Sequence, residues 1–346
     1  MSFEELSKSF KLKNLPGSEV ELTGEVPAGE LAAYRDAALA HIAAHMEMPG
    51  FRPGKVPKDI ALKKAGEVAV LEEATELLVK DLYPALIEAH KTDAVGRPDI
   101  RVTKMPALPA GGPVALSVRV TVYPEVSPPK EWKTLHEKIT LEPALPATGE
   151  EVDKTLEDLR ASFAKATDGQ AAALPALDDA FAKKVGAFEN LETLKEQIKK
   201  GIGEEKARAA RDVRRGRLID KLLEGTEVVV PRLFVESELE KILAQMREDV
   251  QRFGLSFEDY LKQTNKTEEN IRSDFKEQAA KRAKLQLVLN KIAQDEKMEA
   301  DPAAVEAELK HALEHFPDAN PEMVKVHVET VLRNEQILKL LEGETK

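Results

Sequence analysis

The sequence predicts an α+β N-terminal domain, an antiparallel sheet packed against helices, followed by a mostly α-helical C-terminal domain. Two patterns predict this fold class. Apolar and polar residues alternate around Val20 and Leu22 and from Val114 to Val122, which is typical of half-buried strands. From Leu174 onward, apolar residues recur every three or four positions, as on the buried face of an amphipathic helix.

In the first domain, helical patterns lie between strand patterns. Pro84, inside the longest helical pattern, predicts a kink or a break, because proline removes a backbone donor and clashes with the preceding turn. The alternation favours one sheet covered by helices on one side. The predicted strands lie at residues 10–12, 20–22, 100–102 and 114–122, and the predicted helices at 30–48, 58–64 and 67–90.

A connecting region follows the first domain. Residues 127–148 contain several prolines and are partly extended in pattern, and 149–163 are predicted to be helical. Residues 165–173 are small and polar, which is typical of a linker. The expected domains are residues 1–126, 127–173 and 174–346.

Prolines and glycines locate the ends and weak points of the later helices. Pro231, Pro302 and Pro321 lie where helical patterns begin, a position that proline favours. Gly201 and Gly203 predict a bend in an earlier helix, because each weakens it by about 1 kcal/mol relative to alanine.

The composition indicates a soluble helical protein. Of 346 residues, 42% are apolar and 33% charged, and the chain has no cysteine, which excludes disulfides, zinc thiolate sites and thiol nucleophiles. The acidic N-terminal residues and the lack of an apolar run of about eighteen residues predict a cytoplasmic protein without a membrane segment. The net charge of −11 argues against a general nucleic-acid binder.

The segment from Pro49 to Pro57 is the strongest candidate for a binding site. Its two glycines and three prolines end the helical patterns on both sides and predict a tight, exposed turn. At the tip, Phe51 offers an apolar contact, and Arg52 and Lys55 offer cationic contacts. Residues 49–64 carry five cations and one anion, so any binding to RNA is expected to be confined to this region.

This segment resembles the G-F-R-x-G-x-x-P signature of the trigger factor family, bacterial chaperones that bind beside the ribosomal exit tunnel. The resemblance implies that the first domain binds the ribosome. Further matching segments follow in family order at residues 30–35, 123–126, 152–160, 174–181 and 228–231. The residues that the resemblance assigns to ribosome binding are Gly50, Phe51, Arg52, Pro53, Gly54, Lys55 and Pro57.

The resemblance also implies the partners. They are a ribosomal protein at the exit tunnel, nearby rRNA and unfolded nascent polypeptides, held without ATP in a cradle formed by a helical body and two arms. No cofactor and no membrane is expected, and a homodimer is compatible with the family away from the ribosome.

The chain departs from most trigger factors in one respect. Those proteins insert a prolyl-isomerase domain of the FK506-binding type at a position where only thirteen residues separate Arg160 from Leu174 here. A domain needs at least about 50 residues to bury its own core. We therefore expect the isomerase domain and its activity to be absent.

Some apolar residues of the helical half are expected to contact clients rather than the core. Methionine and aromatic side chains adapt to varied partners, and several lie near predicted helix ends. The candidates are Met246, Phe253, Phe257, Tyr260, Phe316 and Met323.

Two other functions are compatible with parts of the sequence. A holdase that does not dock on the ribosome is suggested by Pro53, which replaces the cation usual in the family. A zinc hydrolase is suggested by His311-Ala312-Leu313-Glu314-His315, which matches H-x-x-E-H, although a third ligand is not evident. An amphipathic helix explains this segment better.

The remaining clusters have simpler interpretations. His41 and His45 also lie four residues apart, but without cysteine or nearby aspartate ligands they are expected to be structural. The basic run is expected to be a solvated helix face with pairs at i and i+4. It comprises Arg208, Arg211, Arg214, Arg215 and Arg217.

Overall fold

The computed structural model describes residues 3–49, 51–52, 54–104, 112–168 and 174–344. The chain forms two compact units. The first contains Met1–Val126 and Val228–Lys284, and the second contains Ser127–Glu227 and Leu285–Lys346. The chain passes from the first unit to the second after Val126, where the sequence predicts the end of the first domain. The return of the chain to the first unit was not predicted, and the three-domain division remains a prediction.

The first unit contains a four-stranded antiparallel sheet with strand order β1-β2-β4-β3. Its inner face carries the alternating residues that the sequence predicts, with Leu22 opposite Val118 and Val20 opposite Val120, all buried. The strands and the helices between them are α1 (Phe3–Lys8), β1 (Lys11–Leu15), β2 (Glu19–Val26), α2 (Ala28–His45), α3 (Lys58–Ala89), β3 (Ala94–Lys104) and β4 (Val114–Val122).

The helix α3 combines the two helices predicted at this point. Gly66, with φ of 84° and ψ of 160°, interrupts the helical dihedral angles and separates a short first segment from a long second one. Helical geometry continues through Pro84, so the break that the sequence allows there does not occur. Leu82 and Leu86, both fully buried, fix the helix on either side of Pro84 and outweigh the one backbone hydrogen bond that proline removes.

Three later helices also belong wholly or partly to the first unit. They are α8 (Arg232–Arg252), α9 (Phe257–Thr264) and the first part of α10 (Glu268–Asp295). Leu239, Ile242 and Leu243 on α8 pack with Ile271 and Ala279 on α10 in a small apolar core. Between the helices, the Ser256 side chain caps α9 by accepting a hydrogen bond from the Asp259 amide.

The second unit is helical. Its elements are a short 3₁₀ turn (Trp132–Thr134), α4 (Leu135–Lys138), α5 (Gly149–Asp168), α6 (Asp179–Val185), α7 (Leu191–Glu224), the end of α10, α11 (Pro302–His315) and α12 (Pro321–Leu341). Leu156, Phe181 and Leu194 form an apolar core between α5, α6 and α7. Asn190 and Thr193 exchange hydrogen bonds in a capping box that begins α7.

The predicted start points of the later helices are confirmed. Pro231 is the residue before α8, and Pro302 and Pro321 are the first residues of α11 and α12. α7 is one helix of 34 residues that includes Gly201 and Gly203, and the bend expected there remains a prediction.

The predicted linker is partly helical. α5 extends to Asp168, beyond the predicted end at residue 163. The part of the predicted linker at residues 169–173 lies outside the described residues.

The basic run on α7 is not simply a solvated face. Arg214 donates hydrogen bonds to the carbonyl oxygens of His136, Ile139 and Glu342 at 2.9–3.2 Å. Arg215 pairs with Glu342 and with both carboxylate oxygens of Glu335. Hydrogen bonding to Glu342, followed by that to Glu335, raises the pKa of Arg215 above its ordinary value. The sequence pattern predicted local i and i+4 pairs because it contains no information on contacts with residues 75 or more positions away.

Among the described residues, none of the helices has both the length and the apolar character needed to cross a lipid bilayer.

Gly24 on β2 packs closely against Phe10, and this contact predicts how a substitution at Gly24 changes the stability of the protein. A Cβ atom on Gly24 would lie 2.5 Å from the buried Phe10 ring, whereas one on Gly29 would have no neighbour within 4 Å. We expect Gly24→Ala to lower the free energy of unfolding by about 1–3 kcal/mol through overpacking. Gly29→Ala, the matched control in α2, should leave it unchanged or raise it slightly. Urea unfolding followed by circular dichroism measures both, and equal stabilities would contradict this packing.

Candidate functional site

We call residues 46–57, which connect α2 to α3, the docking loop. It carries the residues that the family resemblance assigns to ribosome binding. Turn hydrogen bonds join the Phe51 amide to the Met48 carbonyl oxygen at 3.1 Å and the Lys55 amide to the Arg52 carbonyl oxygen at 3.0 Å. Gly54 has φ of +76°, a left-handed conformation that favours glycine and explains its place in the loop. The predicted members Gly50 and Pro53 lie outside the described residues.

The loop presents its contact residues to solvent while its end is anchored. Phe51 is 37% exposed, and Arg52 and Lys55 are exposed as well. Within the described part of the chain, neither cation has a carboxylate partner. Val56 is buried in the core of the first unit, and the Pro57 carbonyl oxygen accepts the first hydrogen bonds of α3. The tip is therefore available for binding without loss of an existing ion pair.

Polar contacts between α2 and α3 support the base of the loop. The Tyr34 hydroxyl donates to Asp81 at 2.8 Å, and Arg35 pairs with Glu67 at 2.6 Å. Burial, aided by the hydrogen bond to Asp81, raises the pKa of Tyr34 to about 12, so this hydroxyl remains a donor at neutral pH. Together with the apolar packing, these contacts fix the two helices between which the loop is held.

The other cations of the basic segment lie along the base of the loop. Lys58 donates to the Asp36 carbonyl oxygen at 3.4 Å, and Lys64 donates to the Glu47 carbonyl oxygen at 3.3 Å. Lys63 is exposed. Because the two bonded ammonium groups use only backbone oxygens, their charges are not neutralised by these contacts, and the local potential stays positive.

Three of the predicted client-binding residues are strongly exposed at helix ends. Phe253 follows α8 and is 85% exposed, Phe316 follows α11 and is 68% exposed, and Met323 in the first turn of α12 is 73% exposed. Phe253 belongs to the first unit, and Phe316 and Met323 belong to the second. Exposed apolar side chains of this size are candidates for protein contact when they share a surface.

The other three candidates are partly buried. Met246, Phe257 and Tyr260 pack against the apolar core between α8 and α10. The Phe257 and Tyr260 rings stack with centroids 6.2 Å apart, and the Arg247 guanidinium lies 5.1 Å from the Phe257 centroid. The structure gives these residues a packing role, and their use by clients remains a prediction. The sequence could not separate the two groups, since both follow the same helical spacing.

Sequence reasoning missed one exposed residue near Met323. Val326, 62% exposed, lies one turn further along α12 and extends the same surface. A signal was present in the sequence. Val326 falls outside the apolar stripe of Val324, Val328 and Val331, and an apolar residue away from the stripe is a candidate for exposure.

The structure does not complete the zinc site considered for His311 and His315. Their ring centroids lie 4.6 Å apart on α11. Among the residues that the structure describes, no group of three or more histidine, cysteine, aspartate or glutamate side chains is placed to hold a metal ion. The hydrolase hypothesis therefore lacks its third ligand in this part of the chain.

Comparison with known proteins identifies the family. A family model described as bacterial trigger factor protein matches residues 8–159, and one described as its C-terminus matches residues 190–342. The chain belongs to the trigger factor family. This membership makes the protein a ribosome-associated chaperone, and it does not favour the freestanding holdase or the hydrolase.

Individual trigger factors are similar along most of their length. That of Caldicellulosiruptor bescii is 23% identical, covering 87% of this chain and 87% of its own. The trigger factor of Halalkalibacterium halodurans is 25% identical, and the match covers 88% of this chain and 90% of its own. The trigger factor of Desulforudis audaxviator is 27% identical, and the match covers 86% of each chain. A solved structure of a trigger factor chaperone, from work on promiscuous substrate recognition in folding and assembly, is similar in fold, with a TM-score of 0.53. It is 20% identical, and the match covers 97% of this chain and 100% of that chain.

Proposed function

We propose that this cytoplasmic protein docks beside the ribosomal exit tunnel through the loop between α2 and α3 and holds emerging unfolded segments on exposed apolar side chains at its helix ends. The observation that carries the proposal is the anchored loop tip, where Phe51, Arg52 and Lys55 are exposed and the two cations have no carboxylate partner among the described residues. No nucleotide and no covalent step is involved.

Docking combines an apolar anchor with charge. Burial of the Phe51 ring against a ribosomal protein would remove apolar surface from water, and Arg52 offers a planar fork that pairs with carboxylate or phosphate. The whole chain has a net charge of −11, so the part outside the basic segment is acidic and would be repelled by rRNA. These properties support a single orientation, with the loop toward the ribosome.

Holding of clients relies on scattered apolar contacts. Phe253, Phe316, Met323 and Val326 are each largely exposed. Each contact contributes little by itself, so affinity for a long unfolded segment arises from several contacts at once. Such a surface selects for apolar segments without selecting a particular sequence.

We also propose that the family's prolyl-isomerase domain is absent. The last described residue of α5 is Asp168 and α6 begins at Asp179, which leaves ten intervening residues. The alignment with the C. bescii protein spans 380 positions but 87% of this 346-residue chain, which is about 301 residues, so about 79 positions of the relative face no residue here. This total of unmatched positions exceeds the roughly 50 residues that a domain needs, which is compatible with a domain missing from this chain.

Docking is predicted to depend on the loop tip. Phe51→Ala combined with Arg52→Ala should weaken ribosome binding by about 2–4 kcal/mol, on the scale of an interface hot spot, which is roughly 30- to 1,000-fold in Kd. The matched control is Arg252→Ala with Phe253→Ala, since that adjacent pair is also exposed but lies at the end of α8. Co-sedimentation with ribosomes measures both, and an unchanged affinity of the folded loop variant would refute the docking assignment.

Client holding is predicted to depend on several exposed apolar side chains together. Phe253→Ser, Phe316→Ser and Met323→Ser combined should reduce the suppression of client aggregation several-fold, while each single change should have a small effect. The loop variant serves as the control and should hold clients normally. Helix content from circular dichroism should be unchanged. Added salt should weaken docking but not holding, because only docking relies on charge. Holding that falls with salt as steeply as docking would contradict the apolar mechanism.

Prolyl-isomerase activity is predicted to be absent. A proline-limited refolding reaction with substoichiometric protein should proceed at the uncatalysed rate, on the order of tens to hundreds of seconds at 25 °C. A trigger factor that carries the isomerase domain provides the positive control. Catalytic acceleration by this chain would show that another part of it supplies the isomerase site.

A further inference from the structure

The last turn of α2 carries a pair of imidazoles that neither docking nor client holding uses. His41 and His45 lie one turn apart, with ring centroids 4.3 Å apart and ring planes inclined by 49°. Both side chains are exposed. The sequence predicts a structural role for them because it shows no further ligand nearby, and the hydrogen bonds of the two rings change that interpretation.

Each ring has its Nδ1 atom next to an oxygen that can only accept. His41 Nδ1 lies 2.7 Å from Glu73 Oε1, and His45 Nδ1 lies 3.0 Å from the carbonyl oxygen of His41. In a neutral imidazole the proton must therefore reside on Nδ1, and the lone pair resides on Nε2. Both Nε2 atoms are thereby left in the form that binds a metal ion.

The hydrogen bonds of the two rings are of the kind that supports a bound metal ion, and the charges around the pair are mixed. A hydrogen bond from the second ring nitrogen to a carboxylate or a backbone carbonyl is the usual support of a metal-bound histidine, since it fixes the tautomer and the ring orientation. Glu73 and Glu76, opposed by Lys80, line a cavity of about 400 Å³ beside His41, so carboxylates outnumber ammonium groups on that side, whereas Lys64 donates to the Glu47 carbonyl oxygen just beyond His45. Two imidazoles that share an ion at about 2.1 Å have ring centres roughly 4.6 Å apart when the angle at the metal is about 90°, and roughly 5.3 Å apart when it is tetrahedral. The observed 4.3 Å is nearer to the first value.

We propose that His41 and His45 bind a divalent transition-metal ion such as Zn²⁺ or Ni²⁺ through their Nε2 atoms, with water completing the coordination. Imidazole is a preferred ligand of these ions. The described residues contain no cluster of three or more ligand-type side chains, so the site has two protein ligands and is open. A bound ion would join the ends of the final turn of α2, from which the docking loop departs.

The chain contains an internal control. His311 and His315 have the same spacing on α11, with ring centroids 4.6 Å apart. Among the described residues, no hydrogen bond or ion pair fixes either of these rings. Their tautomers are therefore not set, and this second pair should bind the same ions more weakly.

Calorimetric titration of the untagged full-length chain with Ni²⁺ alone, and separately with Zn²⁺ alone, tests the proposal. We expect one equivalent of metal ion per chain to bind more tightly than any further ions. His45→Gln should abolish it, and His315→Gln should leave it unchanged. Glu73→Ala, which removes only the partner of His41, should weaken it by about ten- to a hundredfold. Circular dichroism should show unchanged helix content, since both replaced histidines are exposed.

Several outcomes would overturn the site. They are the lack of a tighter equivalent in the unaltered chain, its retention in folded His45→Gln, and its loss in His315→Gln. Unchanged affinity in Glu73→Ala would overturn the positioning role of Glu73. The titration does not depend on ribosomes or clients, so its result is independent of the docking assignment.

Discussion

Burial of one face of α3 against the sheet is the interaction on which the docking loop depends. Leu78, Leu82 and Leu86 are fully buried there, and burial of a side chain of this size contributes about 1.5–3 kcal/mol. α2 packs on α3 and shares the same core. α2 and α3 bury far more apolar surface than the loop itself does, so these two helices fix both ends of the loop. Because the loop is short, its ends are fixed and Val56 is buried, Phe51 is held in solvent. A loop without these anchors would be free to fold the ring onto the core.

A comparable constraint keeps apolar side chains exposed at the ends of the other helices. The Phe253 amide donates to the Asp249 and Val250 carbonyl oxygens, and the Phe316 amide donates to the Ala312 carbonyl oxygen. The Asn320 side chain accepts from the Met323 amide at the start of α12. Since the backbone groups at these ends are satisfied locally, the helices end stably without burying the side chains. Stability and exposed apolar surface are therefore compatible at these positions.

The fold class, the sheet strands and most helix starts could be predicted from the sequence because they follow from periodicity and proline placement, both of which are local. The docking loop was predicted for the same reason, since glycine and proline determine turns within a few residues. Long-range features were not predictable. Leu12 was expected to be half-buried but is 38% exposed on the edge strand β1, because pairing order and not alternation decides which strand lies at the edge. Likewise, the spacing of Phe253 and Phe257 is equally compatible with core and surface, and only the packing of α8 against α10 distinguishes them.

The contacts that hold the second unit together are suited to a protein that handles unfolded chains. Polar contacts supplement the apolar packing of this unit. Arg214 bonds to three backbone carbonyl oxygens, and Arg215 pairs with Glu335 and Glu342, which connects α7 to α12 through buried or half-buried groups. An apolar client segment cannot replace an arginine bound to carboxylates and carbonyls, whereas it could compete for a purely apolar joint. If the exposed apolar side chains bind clients as proposed, these polar contacts would not compete with that binding, and the connection between α7 and α12 would stay intact while clients are held.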